Sequence, residues 1–361
     1  MSGTSLDGID AALLNFGQHP RLLHHHSHPL PADLRARLLQ LALNQDNVNL
    51  DMLGETDAEL GDLFADAVNI LLAQSGYNAQ DIRGIGSHGQ TIRHQPAGPH
   101  PFTLQIGDAN RIAYKTGITT VADFRRKDMA AGGQGAPLTP AFHHAFFRSD
   151  KENRAVLNIG GIANITYLPA DTNNPDLGFD TGPGNMLMDA WIAQHQQKSF
   201  DKDGAWAASA KPHQALLNQL MHDAFINRPP PKSTGREHYN LDWLNSQLKN
   251  IRPLTPDTIQ ATLCTYTAKG IEYAIHHFLP EIKTLIVCGG GAHNQHLIKQ
   301  LQNNLQPVHV VTSSAYHLHP DWVEAAAFAW LAKQTLSKTP INLSEITGAR
   351  QAVILGSIYL A

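Results

Sequence analysis

Small, hydroxylated and acidic residues crowd the opening of the sequence, which reads "MSGTSLDGID". Such a stretch offers few side chains for a hydrophobic core. It does offer two glycines, whose backbone N–H groups can approach an anion closely, together with hydroxyl groups and the carboxylate of Asp7. These groups can hold phosphate and a hydrated metal ion. The opening therefore predicts a phosphate-binding turn, and a turn-stabilising role for Asp7 is the alternative.

Two further glycine elements follow in "NIGGIANIT" and "CGGGAHN". The second lies between a predicted strand and a predicted helix, where a nucleotide can rest near a helix N-terminus. The P-loop pattern G-x-x-x-x-G-K-[ST] does not occur, and no G-x-G-x-x-G stands between a strand and a helix, which disfavours a dinucleotide fold. The opening turn in "SGTSLDGIDAALL" and the turn in "NIGGIANITYL" could face each other and grip a polyphosphate from both sides, and two unrelated hairpins are an equal alternative.

Alternating strands and helices must position these turns. Short apolar strands are predicted in "GIDAALLNF", "AVLNIGGIANITYL", "TLIVC" and "PVHVV", and helices in "DAELGDLFADAVNILLAQSG" and "DWVEAAAFAWLAKQTL". This alternation predicts an α/β protein. The Gly- and Pro-rich stretch "RRKDMAAGGQGAPLTP" has no clear period, so we place a junction there. The predicted domains are residues 1–130 and 131–361, with the C-terminal segment packing back on the first.

Composition excludes several classes of function. A formal charge of −4 gives no electrostatic footprint for nucleic acid or an anionic membrane. The sequence shows neither a membrane span nor a signal peptide, and two cysteines cannot make a disulfide framework. These features predict a cytoplasmic protein that binds neither nucleic acid nor membrane. The run "HHHSH" is interpreted as a solvated surface stretch.

The motifs together resemble the actin/Hsp70/sugar-kinase superfamily, and within it the anhydro-N-acetylmuramic acid kinase family. The resemblance rests on "MSGTSLDGID", "SHGQT", "DFRRKDMAAGGQGAPL", "NIGGIANIT", "GFDTGPGNMLMD" and "CGGGAHN", which extend over nearly the whole chain. It implies two actin-like (ribonuclease H-like) domains with an ATP cleft between them, ATP and Mg²⁺ as cofactors, and a homodimer. The implied reaction opens a 1,6-anhydro sugar with water and phosphorylates O6 from ATP, in cell-wall recycling.

The resemblance also assigns site residues. Asp180 in "GFDTGPGN" is expected to be the catalytic base, with an Asx-turn or helix cap as the alternative. Asp7 is expected to orient Mg²⁺ through water. The expected ATP contacts are Gly3, Thr4, Ser5, Asp7, Gly8, Asn158, Gly160, Gly161, Gly289, Gly290, Gly291 and Asn294. The expected sugar contacts are Ser87, His88, Gln90, Thr91, Asp123, Arg125, Arg126 and Glu324.

Some of these expected sugar contacts are supported by a physical argument, and others have a structural role as the alternative. A guanidinium group can bind the lactyl carboxylate with two hydrogen bonds. Because adjacent side chains of an extended segment point in opposite directions, only one of Arg125 and Arg126 is expected to reach the ligand. His88 is as plausible in a structural role. Glu324 suits a helix N-terminus through the helix dipole.

The superfamily pattern carries one more expectation. A central strand precedes the first phosphate turn, which predicts a segment of about ten residues upstream of Met1. Three other functions stay open on sequence grounds. They are a conventional sugar kinase, in which Asp180 deprotonates a sugar hydroxyl, an ATP-binding regulator with slow hydrolysis, and an inactive relative.

Overall fold

The computed structural model describes the chain from Met1 to Ala361 with the exception of eight residues, which are Thr4, Ser5, Asp7, Gln18, His19, Pro20, Asp46 and Asn250. Strands and helices alternate along most of its length. This confirms the α/β class that the sequence predicts.

The elements of the N-terminal part are β1 (Gly8–Asn15), β2 (Arg21–Pro29), α1 (Ala32–Leu43), α2 (Leu50–Ser75), β3 (Ile85–Gly86), β4 (Gln90–Gln95), β5 (Phe102–Ile106), α3 (Ala109–Thr116), β6 (Thr120–Ala122), α4 (Phe124–Ala130) and α5 (Thr139–Phe147). Those of the middle part are β7 (Arg154–Ile159), β8 (Ile162–Leu168), β9 (Leu177–Pro183), α6 (Met186–Gln196), α7 (Ala205–Ala208), α8 (Gln214–Met221), α9 (Ala224–Asn227), α10 (Leu241–Leu248), α11 (Pro256–Phe278), β10 (Thr284–Cys288), α12 (Gln295–Asn304) and β11 (His309–Thr312). The C-terminal part adds α13 (Val323–Leu336), α14 (Ser344–Thr347) and β12 (Ser357–Tyr359).

The chain divides into two compact units. Unit 1 comprises Met1–Phe146 and Trp322–Ala361, and unit 2 comprises Phe147–Asp321. The boundary expected at 130 lies inside unit 1, because residues 131–146 are fastened there. The N–H of Gly135 donates to Asp128 Oδ2 at 2.7 Å, and the N–H of Gln134 donates to the carbonyl of Thr347 at 2.8 Å.

Unit 2 is built on a five-stranded sheet with the order β11-β10-β7-β8-β9. β7, β8 and β9 form an antiparallel meander, and β10 and β11 run parallel to β7 on its other side. This is the strand order of a ribonuclease H-like domain. Every residue of β10 is buried, as expected for a central parallel strand that is covered on both faces.

The core of unit 2 joins this sheet to its helices. Leu157, Ile165 and Leu285 of the sheet pack with Leu263 and Ile271 of α11 in one buried hydrophobic cluster. α11 begins with Pro256 at its first position, where the missing N–H of proline has no intrahelical partner to lose. The sheet is therefore a rigid base for the turns that follow β7 and β10.

Unit 1 holds three smaller sheets among its described residues. β1 pairs with β2 and β4 with β5, both antiparallel, and a third sheet has the order β12-β6-β3. Within the third sheet β3 runs parallel to β6 and β12 antiparallel to it.

The 26-residue helix α2 begins at an N-cap, Asn49, whose side chain accepts the N–H of Met52. It ends at Gly76, which has φ 75°, a conformation that glycine adopts without strain. This confirms the helix that the sequence predicts in "DAELGDLFADAVNILLAQSG". Leu60 and Phe64 of α2 pack with Leu34 and Leu38 of α1 and with Ile9 of β1.

The histidine run "HHHSH" lies in β2, where His26 and His28 are half-buried. His24 and His25 are exposed, which agrees with a solvated surface strand. Among the helices that the structure describes, none combines the length and apolar character required to cross a membrane.

Candidate active site

Asp180 lies within strand β9 of unit 2 and not in a local turn. Its Oδ2 accepts the N–H of Thr234 at 2.9 Å and the hydroxyl of Ser233 at 3.0 Å. The alternative of an Asx-turn or helix cap is therefore wrong, because both donors come from a segment more than fifty residues away. No described residue bonds to Oδ1, so one carboxylate oxygen is free for a ligand.

Two opposing effects set the protonation of Asp180. Burial raises the pKa of its carboxyl group, and the hydrogen bonds from Thr234 and Ser233 and the charge of Lys232 act against that rise. The net direction is upward. A carboxylate with a raised pKa accepts a proton more readily, which suits a general base.

Lys232 anchors the segment that carries Ser233 and Thr234. Its Nζ donates to the carbonyls of Phe225 at 3.0 Å and Ile226 at 2.9 Å. Nζ also lies 4.9 Å from the ring centroids of Phe225 and Phe278. Burial lowers the pKa of Lys232 to about 8, and the charge of Asp180 opposes that change. The ammonium group thus bonds to backbone carbonyls within the protein and holds in place the segment whose Ser233 and Thr234 donate to Asp180.

The glycine turn between β7 and β8 is tied to the segment that follows β9. The carbonyl of Gly161 accepts the N–H of Gly184 at 2.8 Å, and that of Gly160 accepts the N–H of Asn185 at 2.8 Å. A side chain on Gly184 would come within 2.3 Å of the Gly160 carbonyl oxygen, so this close approach requires glycine. Gly161 is exposed, and no described residue accepts its N–H. The turn therefore presents a free amide from a fixed backbone.

The second glycine loop follows β10 and packs on the end of β7. Gly289 has φ 78°, and a Cβ there would lie 2.3 Å from the side-chain oxygen of Asn158. A Cβ on Gly291 would lie 2.3 Å from Ile159 Cγ2. The N–H of Gly290 finds no acceptor among the described residues. Both glycine elements of unit 2 thus meet at the carboxyl end of β7.

Asn294 is predicted to contact ATP, and the structure places it at the N-cap of α12. Its Oδ1 accepts the N–H of Leu297 at 3.0 Å. That oxygen is engaged in capping, so only the amide nitrogen of Asn294 is left for a nucleotide.

Ser2, near the start of unit 1, contacts the "SHGQT" segment. The hydroxyl of Ser2 donates to Gln90 Oε1 at 2.7 Å in a buried position. The carbonyl of Gly3 accepts the N–H of Leu6 at 3.3 Å, and a Cβ on Gly8, the first residue of β1, would lie 3.0 Å from the carbonyl oxygen of His28. The predicted phosphate and metal residues Thr4, Ser5 and Asp7 lie outside the described residues.

Arg125 and His88 form a pair in unit 1, in which His88 is buried and Arg125 is half-buried. Nε and Nη2 of Arg125 lie 3.3 and 2.8 Å from His88 Nε2, and Nη1 donates to the carbonyl of Gly135 at 2.9 Å. Burial and the charge of Arg125 hold the pKa of His88 well below its usual value, so the imidazole is neutral and accepts at Nε2. Burial lowers the pKa of Arg125 to about 10, and the guanidinium stays charged at neutral pH.

These contacts leave part of the guanidinium unused. A guanidinium has five N–H donors, and His88 and Gly135 take three of them. One N–H remains on each terminal nitrogen, which is the arrangement that binds a carboxylate with two hydrogen bonds. Ser87 Oγ and His88 Nδ1 are buried beside this pair and have no partner among the described residues.

Arg126 points away from this pair. Its side chain is 56% exposed and its Nε lies 3.5 Å from Asp123 Oδ1. The extended segment expected here is wrong, because residues 124–130 form helix α4, in which neighbouring side chains diverge by about 100°. Asp123 precedes the helix with φ 57°, a costly conformation for a residue with a side chain.

The other predicted sugar residues lie at different depths. Glu324 is in the first turn of α13, and its charge raises the pKa of Arg125, which places it near the pair of Arg125 and His88. Thr91 Oγ1 accepts Gln105 Nε2 at 3.1 Å and is already engaged within the β4–β5 hairpin. Of the predicted sugar residues in unit 1, the structure therefore pairs Arg125 with His88, and Glu324 is near enough to raise the pKa of Arg125.

Comparison with known proteins identifies the family. The family model for anhydro-N-acetylmuramic acid kinase matches residues 1–361. The chain belongs to this family. Curated anhydro-N-acetylmuramic acid kinases are 50% identical over 359 residues in Coxiella burnetii (strain RSA 493 / Nine Mile phase I) and 51% identical over 365 residues in Xylella fastidiosa (strain Temecula1). The matches cover 99% and 100% of this chain and 96% and 95% of the relatives.

The solved structures to which this anhydro-N-acetylmuramic acid kinase family member is similar share far less sequence identity with it than the curated relatives do. The activator of 2-hydroxyisocaproyl-CoA dehydratase from Clostridium difficile, with bound ADPNP, is 10% identical with a TM-score of 0.42, over 91% of this chain and 96% of that one. A ROK family glucokinase from Streptomyces griseus, in complex with glucose and AMPPNP, is 9% identical with a TM-score of 0.38, over 90% of this chain and all of that one.

Proposed function

We propose that this anhydro-N-acetylmuramic acid kinase family member couples hydrolysis of the 1,6-anhydro ring to phosphorylation of O6, with Asp180 as the base. The observation that carries the proposal is the Asp180 carboxylate on β9, which has one oxygen held by Ser233 and Thr234 and the other free. Its raised pKa suits proton transfer from water. The product is N-acetylmuramic acid 6-phosphate, formed with ADP in cell-wall recycling.

The reaction needs no separate general acid to protonate the leaving oxygen O6. Asp180 takes a proton from water, the water oxygen bonds to C1 of the sugar, and the C1–O6 bond breaks. O6 then forms a bond to the γ-phosphorus of ATP while the bond to the β,γ-bridging oxygen breaks, which releases ADP. Glycosidases that lack such an acceptor need a second carboxylic acid to protonate the leaving oxygen.

The glycine elements of unit 2 are the proposed ATP contacts. The free N–H groups of Gly161 and Gly290 are donors that phosphate oxygens can accept, and both stand on turns locked by close backbone packing. Gly3, Gly8, Thr4, Ser5, Asp7, Asn158 and Asn294 complete the proposed ATP set from the resemblance.

Three finer features are proposed from the family resemblance alone: Asp7 holds Mg²⁺ through water, the chain forms a homodimer, and it works in the cytoplasm. When it is bound, Mg²⁺ neutralises charge on the phosphates.

The Asp180→Asn variant tests the base. We expect it to lower kcat for sugar phosphorylation by about 10²-fold or more, because the amide cannot accept the proton from water. The assay uses 1,6-anhydro-N-acetylmuramic acid and Mg-ATP in ¹⁸O-enriched water, with mass spectrometry of the sugar phosphate and of ADP. The wild-type product should carry one solvent oxygen.

The exposed residue Asp150 supplies the matched control, because Asp150→Asn removes a carboxylate from the surface of the same unit. It should retain the wild-type rate. Substantial turnover by the Asp180→Asn variant would reject Asp180 as the base. Phosphorylated sugar without solvent oxygen would indicate a conventional sugar kinase, and ADP without phosphorylated sugar would indicate another acceptor.

Arg125 is the proposed partner of the lactyl carboxylate. Arg125→Lys keeps the charge but removes the paired N–H groups, so the KM for the sugar should rise about 10- to 100-fold while the KM for ATP stays within about twofold. Arg126→Lys should raise the sugar KM far less, because Arg126 is exposed and turned toward Asp123. A larger effect at Arg126 than at Arg125 would reverse this assignment.

A further inference from the structure

Three side chains with metal-ligand chemistry meet on the surface of unit 2. They are His293, His319 and Asp321, and one donor atom from each lies within 4.8 Å of the other two. None of them is among the residues that the resemblance assigns to ATP, Mg²⁺ or the sugar. In the part of the chain that the structure describes, this is the one group of three or more His, Cys, Asp or Glu side chains close enough to share a metal ion. The group is therefore a separate candidate site.

The two imidazoles approach different oxygens of the Asp321 carboxylate. Nε2 of His293 lies 2.8 Å from Asp321 Oδ1, and Nδ1 of His319 lies 3.7 Å from Asp321 Oδ2. In a tetrahedral zinc site, metal–donor bonds of about 2.0–2.2 Å set neighbouring donor atoms roughly 3.3–3.6 Å apart. The two observed separations lie on either side of that range. Small rotations of these side chains therefore bring the donor atoms to metal-binding distance.

The backbone that carries these side chains is held in place. His293 is the last residue of the 3₁₀ turn Gly290–His293. The N–H of Gly289 donates to the carbonyl of Pro320 at 3.1 Å, which joins the start of this turn to the residue between the other two ligands. Pro320 is buried, and its ring fixes its own φ. The two segments that supply the ligands are thus already joined through their backbones.

The three side chains are open to solvent. Those of His293 and His319 are 53% and 48% exposed, and that of Asp321 is 41% exposed, so an ion can reach them. Among the described residues, all their side-chain hydrogen bonds are made within the group. One of these is the N–H of Asp321 donating to His319 Nδ1 at 3.4 Å, a long contact that a metal bond can replace. Three protein ligands leave a further coordination position for water.

The ligand chemistry selects the class of metal. Two imidazole nitrogens and one carboxylate suit Zn²⁺, whereas Mg²⁺ and Ca²⁺ prefer oxygen ligands. We propose that His293, His319 and Asp321 bind one Zn²⁺ ion, separate from the Mg²⁺ proposed beside ATP. The bound ion fastens the turn Gly290–His293, which carries a proposed phosphate contact, to residues 319–321. The zinc site itself does not depend on the proposed sugar chemistry.

The first test is zinc binding by the full chain, measured by isothermal titration calorimetry with ZnCl₂ and without nucleotide or chelator. His293→Asn and His319→Asn should each weaken binding at this site by about tenfold or more, because each removes a ligand. Saturating Zn²⁺ should also raise the Tm of the wild type by about 2 °C or more, since an ion that binds the folded state stabilises it. Both variants should lose most of that gain.

His317→Asn is the matched control, because His317 is exposed, lies two residues before His319 and is outside the group. Its φ is 61°, a conformation that asparagine tolerates. This variant should bind zinc as the wild type does. The control is needed because the chain has 21 histidines, so the difference between variants decides and not the total zinc bound.

Several results would overturn the site. These are unchanged zinc affinity in both His293→Asn and His319→Asn, an equal loss in His317→Asn, and binding of Mg²⁺ as tight as that of Zn²⁺. Zinc-dependent association of the chain, measured by light scattering, would also reject it if His319→Asn abolished the association, because the ion would then be shared between two copies. The three ligands are exposed, so the variants should fold, and their metal-free Tm values check this.

The second test measures the fastening of the turn. Because the ion links the same two segments as the hydrogen bond from Gly289 to Pro320, hydrogen exchange of the Gly289 amide should slow about threefold or more at saturating Zn²⁺. His319→Asn should show no such change. Zinc binding without this protection would overturn the fastening role. None of these measurements uses ATP or sugar, so failure of the kinase assay leaves them interpretable.

Discussion

At the scale of single residues, the proposed base depends on a lysine whose ammonium group donates to backbone carbonyls and not to the Asp180 carboxylate. Asp180 is held by Ser233 and Thr234, and those two residues follow directly on Lys232, whose ammonium group is bonded to the carbonyls of Phe225 and Ile226. The backbone also joins the segments, since the N–H of Asp180 donates to the carbonyl of Lys232 at 3.1 Å. Lys232 is therefore a positioning residue for the base.

The Lys232→Met variant tests this positioning role. Methionine keeps much of the side-chain volume but leaves the carbonyls of Phe225 and Ile226 without their donor, at a cost of about 1–3 kcal/mol each. The donors to Asp180 should then be less well placed, and kcat should fall about tenfold. The hydrogen bonds from Thr234 and Ser233 and the charge of Lys232 all lower the pKa of Asp180. The variant loses the charge and weakens the two bonds, so that pKa should rise and the acidic limb of the kcat/KM profile should move to higher pH.

The exposed Lys211 offers a comparison within unit 2, and Lys211→Met should leave both the rate and the pH profile unchanged. A fall in stability of the Lys232→Met variant without movement of the acidic limb would mean that Lys232 serves the fold alone. The measurement is the pH dependence of kcat/KM for the sugar, with thermal melts of both variants at the same pH values.

At the scale of elements, the local sequence pattern was sufficient to predict those strands and helices that have a regular apolar period and glycine boundaries. The hairpin of β7 and β8, the strand–loop–helix of β10 and α12, and helices α2 and α13 were all predicted from apolar periodicity and glycine punctuation. Gly184, Gly289 and Gly291 give the reason. A side chain at any of them would clash with the neighbouring turn or strand, so the close packing of the fold requires glycine at positions that also mark the turns in the sequence.

Elements that depend on distant partners were not predictable in the same way. The segment after Asp123 reads as irregular because of its glycines, yet its first residues form α4, with Asp128 buried between the N–H of Gly135 and the hydroxyl of Thr347. Thr347 is more than two hundred residues away, and no local pattern reveals it. Ser233 and Thr234 were missed for the same reason, although "PPPKSTG" does signal a rigid, polar loop.

At the scale of the whole molecule, the two units repeat the same kinds of strand pair. Unit 2 contains the antiparallel pair β8–β9 and the parallel pair β10–β11, and unit 1 contains the antiparallel pair β1–β2 and the parallel pair β3–β6. A sequence has no simple marker for such a repeat, because the two sheets share topology and glycine turns but few residues. The hydrogen-bonded pairing of the strands shows which strand pairs of the two units correspond.

The stability of the molecule should depend on pH through Asp189 in α6. Burial, with the charge of Asp201 in addition, raises the pKa of Asp189 to about 7. The folded state therefore keeps a proton that the unfolded chain releases near pH 4, so stability is lost as the pH rises from about 4 to about 7. At about 1.4 kcal/mol per pKa unit the loss is at most about 4 kcal/mol, and partial exposure of the side chain reduces it.

Asp189→Asn removes this proton linkage and keeps the shape of the side chain. Its Tm should exceed that of the wild type by about 2–4 °C at pH 8, and the difference should largely disappear at about pH 3, below the unfolded pKa, where both folded and unfolded states of the wild type hold the proton. The exposed control Asp150→Asn should show no such dependence. A Tm gain of equal size at both pH values would instead assign the effect to packing, because a substitution that acts through protonation must follow the titration of the residue it replaces.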